Sequence, residues 1–161
     1  MIIKKAITGE IDIPPEGISS EVYMSLHNFY KAFNNKDFTL IKENWLHSEE
    51  IAMDNPLGGI KRGLEEIEGV YKRIFSGKAK VYVEFYDYTI IEMQDAFCCV
   101  GRERGSIKVG DTEIKLAIRT SRVYKKVNVN GTKEYRQVHH HGSIEDPALL
   151  KKYQELLLEG E

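Results

Sequence analysis

From Lys80 onward this chain gives up helical spacing and alternates apolar with polar residues through four successive stretches. They read "KVYVEFYDYTIIEM", "AFCCVGRER", "TEIKLAIRTSRVYKKV" and "KEYRQVHHH", separated only by "QD", "KVGD" and "NVNG". Period-two segments joined by such short turn sequences can pair only as antiparallel hairpins, so a four-strand meander is expected. The first strand is aromatic or aliphatic on both sides, with Tyr82, Tyr86 and Tyr88 opposite Val83, Phe85 and Ile91. Both sheet faces therefore need cover. Helices are expected on one, and another subunit on the other.

The helices come first in the sequence. An arm, residues 1–18, is broken by Pro14, Pro15 and Gly17 and reads as loosely structured. Ser19 or Ser20 can cap a helix of about 15 residues carrying Val22, Leu26, Phe29 and Phe33, with Tyr23, His27 and Tyr30 in a stripe beside them. Asn34 and Asn35 stop it, and Asp37 can cap a short second helix with Phe38, Ile41 and Trp45. "EEIAMDNP" reads as a short strand ending at Pro56, "LGG" as a turn, and Leu64, Ile67, Val70, Tyr71 and Ile74 as a third helix ended by Gly77. After the sheet, Asp146 and Pro147 are expected to open a C-terminal helix over 145–161. Helices segregated from a run of antiparallel strands predict an α+β domain over 19–144.

Composition narrows the function classes. With 42% hydrophobic and 30% charged residues the chain has the balance of a folded globular domain. A formal net charge of −2 argues against nucleic acid as an obligate partner. No apolar run approaches the roughly 20 residues that span a bilayer, so no membrane partner is expected. The N-terminus has no signal-peptide core, and the two cysteines, Cys98 and Cys99, are adjacent and point to opposite faces, so a reduced, cytoplasmic setting is expected.

The candidate site lies in the last hairpin. His139, His140 and His141 are followed by more folded sequence and are not a purification tag. Strand alternation puts His139 and His141 on one face and His140 on the other. With tight two-residue turns, Arg122 falls opposite His139, Thr120 opposite His141 and Tyr124 opposite Gln137, and Tyr86, Tyr88 and Glu103 join the same face. Aromatic walls with a few convergent polar groups make a small-molecule pocket. Arg122 would hold a carboxylate or similar anion, and Tyr86, Tyr88, Glu103, Thr120 and Trp45 would line the ligand. His139 and His141 would exchange protons, and Asp54, just before Pro56, could act as base, so these three are the catalytic candidates. The plainer alternative is an internal Arg122–Glu103 ion pair with the histidines bonded to backbone. No metal or other cofactor is expected, because neither His27 nor His47 is spaced to complete a site with a His-x-His strand pair. A nucleophilic triad has little support: there is no nucleophile elbow, and Ser121 or Ser143 near histidine is common by chance. Neither "GRERG" nor "LGG" opens a helix in the manner of a phosphate loop.

The helix, helix, strand, "GGIKRGLEEIEGVYKRIF" helix and four-strand order resembles the nuclear transport factor 2-like superfamily. The segment "TSRVYKK…YRQVHHHGS" is similar to the SnoaL-like branch and to the association domain of calcium/calmodulin-dependent kinase II, through Arg122, Val123, Tyr124, Val138, His139, His141 and Ser143. Tyr135 stands where a tryptophan is common in that family. The resemblance implies a curved sheet wrapped around helices as a cone, a pocket between them and dimerisation through the convex face. It also implies two functional classes. One is a small-molecule pocket with isomerase, cyclase or dehydratase chemistry by acid and base, which leaves open whether the chain is an enzyme; the other is a non-catalytic association module. Fold alone does not choose between them.

Overall fold

The computed structural model describes residues 1–11, 13–56, 58–146 and 148. The expected C-terminal helix falls almost wholly outside them. Helix α1 spans Ser20–Asn34, with the Ser19 hydroxyl accepting from the Val22 amide at 3.3 Å. Helix α2, Phe38–Asn44, is capped by Asp37, which accepts from the Leu40 amide at 2.9 Å. These caps satisfy amide donors that a helix start leaves free. Strand β1, Ala52–Asp54, and strand β2, Ile60–Arg62, form a small hairpin; the sequence reading expected only the first of them. Helix α3, Gly63–Ser76, follows and ends at Gly77. The meander is then β3, Lys80–Glu92; β4, Ala96–Val109; β5, Thr112–Val129; and β6, Thr132–Ile144.

The six strands make one sheet in the order β2-β1-β6-β5-β4-β3, antiparallel except where β1 runs parallel to β6. The helices cover its inner face. Phe29, Tyr30 and Leu26 of α1, and Ile67, Val70 and Tyr71 of α3, are buried against Phe85, Tyr88, Phe97 and Tyr124 of the sheet. The arm is better ordered than its prolines suggest. Ile3 exchanges backbone hydrogen bonds with Tyr88, and Ile7 with Phe85, so the arm pairs with the free edge of β3. Both isoleucines are buried, and Asn34 ties the arm to β3 by donating to the carbonyls of Thr8 and Val83.

Three departures from the simple hairpin register decide which residues meet. The β4–β5 turn lies at Gly110-Asp111, since Val109 pairs with Thr112; this moves the register by two residues and leaves the faces as expected. In β3 an irregularity between Tyr86 and Thr89 centres on Asp87, whose φ is 49°. It turns Phe85 and Tyr88 both inward and sends Tyr86 outward. Gly101 opposite them is required, because a Cβ there would stand 2.5 Å from the Tyr88 Cβ and 2.9 Å from the Phe85 ring. In β6, Tyr124 pairs with Gln137 but Val123 pairs with His139, so Val138 is an extra residue. Beyond that bulge, Arg122 stands opposite His140, not His139, and Ser121, not Thr120, stands opposite His141.

Candidate functional site

The centre of the fold is a fully enclosed arginine. Arg122 is 1% exposed, and each of its three nitrogens has a partner. Nη2 donates to Glu103 at 2.8 Å, Nη1 to the Gln137 side-chain oxygen at 2.8 Å and Nε to the Tyr30 hydroxyl at 3.3 Å. Tyr30 in turn donates to the same Glu103 oxygen at 2.7 Å. The guanidinium lies 3.6 Å from the centre of the Phe29 ring, so α1 contributes both a hydrogen bond and a π face to it. Burial opposes the charge on Arg122. The surrounding oxygens of Tyr30, Glu103, Tyr124 and Tyr71 outweigh that penalty and hold it protonated. Burial raises the Tyr71 phenol, and the Arg122 charge offsets part of that rise. Neighbouring Cys99 is pushed up to about 12 by burial, so it stays a thiol.

Five of the sequence candidates, Arg122, Glu103, Tyr88, Thr120 and Trp45, are buried on this inner face. Four are not. Tyr86 was expected in the pocket but lies on the outer face with Arg104 4.2 Å above its ring, because the β3 irregularity reverses it. His139 and His141 were also expected there, and the Val138 bulge turns them outward while bringing His140 in. Asp54, on β1, follows His141: its carboxylate is 3.0 Å from the His141 Nδ1, on the exposed side. The expected pocket built from Arg122, His139 and His141 together is therefore overturned. The internal Arg122–Glu103 pair of the plainer alternative is present.

His140 completes the inner cluster and was missed. It is 6% exposed, and neither ring nitrogen has a hydrogen-bond partner among the described residues. The Thr120 hydroxyl, the Gln137 Nε2 and the Tyr88 hydroxyl are likewise buried without one. A buried polar group left without a partner typically costs about 1–3 kcal/mol. Along the sequence nothing separates His140 from its neighbours. Only the parity change at Val138 does so, and valine leaves no local signal of a bulge. Tyr30 was visible in the second stripe of α1, but its reach to Glu103, 73 residues away, was not.

The outer face carries a second feature. A depression of about 300 Å³ is lined by Asp87, Val100, Arg102, Arg119, Ser121 and His141, with Gly101 and Thr120 at its floor. Arg102 is held there by Asp87 and by Glu145. Another, of about 380 Å³, lies between α2 and α3 at Lys36, Phe38, Lys72, Arg73, Phe75 and Ser76. Neither opens on Arg122.

The state of His140 has a consequence for stability. Burial first, then the charges of Arg122, His139 and His141, hold its imidazole well below the usual histidine range. Unfolded, it takes up a proton near pH 6.5; folded, it does not. The unfolded chain then binds more protons, so stability should be flat above about pH 6.5 and fall below it, by up to about 1.4 kcal/mol per pH unit from this group. Urea denaturation at pH 7.5, 6.5 and 5.5 should show this fall in the parent protein and a shallower one in His140→Gln. Identical pH profiles would contradict the burial of a neutral imidazole.

Comparison with known proteins places this geometry. A family model described as the SnoaL-like domain matches residues 22–147. No curated protein compared with the chain matches its sequence. Among solved structures, a nuclear transport factor 2-like superfamily protein from Salmonella enterica is 22% identical, with a TM-score of 0.67 over 78% of this chain and 89% of that one. The S. rosetta CaMKII hub is 15% identical, with a TM-score of 0.66 over 81% and 99%. A structure from Streptomyces avermitilis, provisionally named a dehydratase of the NTF2-like family, is 17% identical, with a TM-score of 0.65 over 77% and 93%. These likenesses establish the shared cone-shaped α+β fold. With its matched region spanning both the helical cover and the whole meander, the chain belongs to the SnoaL-like domain family.

Proposed function

We propose that this protein binds a small anionic or carbonyl-bearing molecule in the buried cluster around Arg122. The observation that supports this reading is the set of unpartnered polar atoms on His140, Thr120 and Gln137 beside a charged guanidinium. Glu103 holds Nη2 of Arg122 and Gln137 holds Nη1, so the ligand meets the guanidinium's charge beside this pair and leaves it in place. His140, neutral and shielded from water, then offers one N–H and one lone pair to the bound molecule. That is the equipment for moving a proton next to a carbonyl, as an isomerase, cyclase or dehydratase does. Trp45, the chain's single tryptophan, is buried and pairs by its backbone with Gln137 of the cluster, so it reports on the site. Titration with acetate, butyrate and acetoacetate should change Trp45 emission and raise the melting temperature, with about 2.7 kcal/mol of stabilisation at 100 times the Kd. Arg122→Lys keeps the charge but loses the fork and should weaken binding at least about tenfold. Unchanged emission and melting temperature with all three up to millimolar concentration would refute the reading.

A second reading, association of two copies through the outer sheet face, rests on Ile91 and Val100, which are 51% and 48% exposed there beside the half-buried Cys98 and Val123. A folded hub carries the same fold in the S. rosetta structure. Light scattering should give twice the chain mass at micromolar concentration, and Val123→Asp should return it to one. A parent mass of one chain would dismiss this reading.

A further inference from the structure

The outer depression holds a row of residues that the Arg122 site does not use. Strands β1, β6 and β5 are neighbours, and their registers align Asp54 with His141 and His141 with Ser121. Adjacent strands are about 4.8 Å apart, so the three side chains stand side by side on one face. Asp54 accepts from the His141 Nδ1 at 3.0 Å. That bond fixes the tautomer in which Nε2 carries the lone pair, and it turns Nδ1 toward β1. Nε2 lies on the far side of the ring from that bond. Ser121 and His141 are register partners lining the same depression, where no hydrogen bond joins the Ser121 hydroxyl to His141 or to any other described residue. Arg119, two residues before Ser121 on the same face, is likewise without an ion-pair partner among them, whereas the adjacent Arg102 is neutralised by Asp87 and Glu145. Two backbone irregularities build this arrangement: the Val138 bulge turns His141 outward, and the bend at Asp87 forms the rim.

We infer that Ser121 and His141 in this depression, with Asp54 bonded to His141 from β1, form a nucleophilic triad acting on small acyl esters with Arg119 facing the developing oxyanion. Ser121 Oγ attacks the ester carbonyl carbon as its proton passes to His141 Nε2. The tetrahedral oxyanion forms beside the Arg119 guanidinium. The C–O bond to the alcohol breaks, and His141 returns the proton to the departing oxygen. Water, deprotonated by His141, then cleaves the acyl-serine, releasing the carboxylic acid and restoring Ser121. Asp54 is a positioning residue, acting through His141.

Diisopropyl fluorophosphate tests this without knowledge of the natural ester. Attack by Ser121 forms the O–P bond, expels fluoride and leaves a stable adduct visible by intact mass and peptide mapping. One adduct at Ser121 is expected. His141→Gln should slow its formation by about 100-fold or more, and Asp54→Asn should slow it to a lesser degree. Ser143→Ala, also on β6 but outside the row, should leave it unchanged. Both His141 and Asp54 are partly exposed, so these variants keep the core intact. No adduct at Ser121, an adduct at Ser143 in its place, or labelling that His141→Gln does not slow would overturn the triad. Association of two copies through this same face would hide Ser121, so a dimer that resists labelling also overturns it. Failure here leaves the Arg122 reading untouched, since the two sites lie on opposite faces of the sheet.

Discussion

The buried Arg122–Glu103 pair is the interaction on which the rest of this structure depends. Removing two charges from water costs several kcal/mol each, and their attraction repays this only when every donor and lone pair is well placed. Here the placement draws on the whole fold. Glu103 comes from β4, Arg122 from β5, Gln137 from β6, and Tyr30 and Phe29 from α1. The pair thus fixes the position of the first helix over the sheet and the register of three strands at once. It also explains why a polar cluster survives in the middle of an aromatic core: half of it satisfies itself, and the other half, His140 with Thr120 and Gln137 Nε2, is left for something else.

What could be read from the sequence followed from periodicity and turn chemistry. The three helices, their caps at Ser19 and Asp37, the stop at Gly77 and the four strands all carry local signals, and the structure has them where those signals fall. The "TSRVYKK…HHHGS" segment pointed correctly to the SnoaL-like family. Strand β2, Ile60–Arg62, lies between the "LGG" turn and the third helix and carries no signal of its own, because three residues give no period to detect. The arm was read as loose because its pairing partners on β3 lie about eighty residues away.

The site was less legible, for one physical reason. Side-chain direction in a strand has a period of two, so one unpaired residue reverses everything after it. The Val138 bulge exchanged His140 for His139 and His141, and the irregularity at Asp87 exchanged Phe85 for Tyr86. The composition of the expected pocket survives in large part, with Arg122, Glu103, Tyr88, Thr120 and Trp45 all on the inner face. The groups meant to move protons changed sides. These reversals separate the molecule into two chemistries: a charged, enclosed cluster inside the cone, and an Asp–His–Ser row beside Arg119 outside it.

The coupling between Arg122 and Glu103 tests the central claim most directly. Denaturant unfolding of Arg122→Met, Glu103→Leu and the double variant closes the cycle. Losing one partner strands the other charge in the core, so each single change should cost about 3–5 kcal/mol. The double change replaces the pair by apolar groups of similar size and should cost at least about 2 kcal/mol less than the sum of the two. Costs that add to within about 0.5 kcal/mol would contradict a core organised around this ion pair.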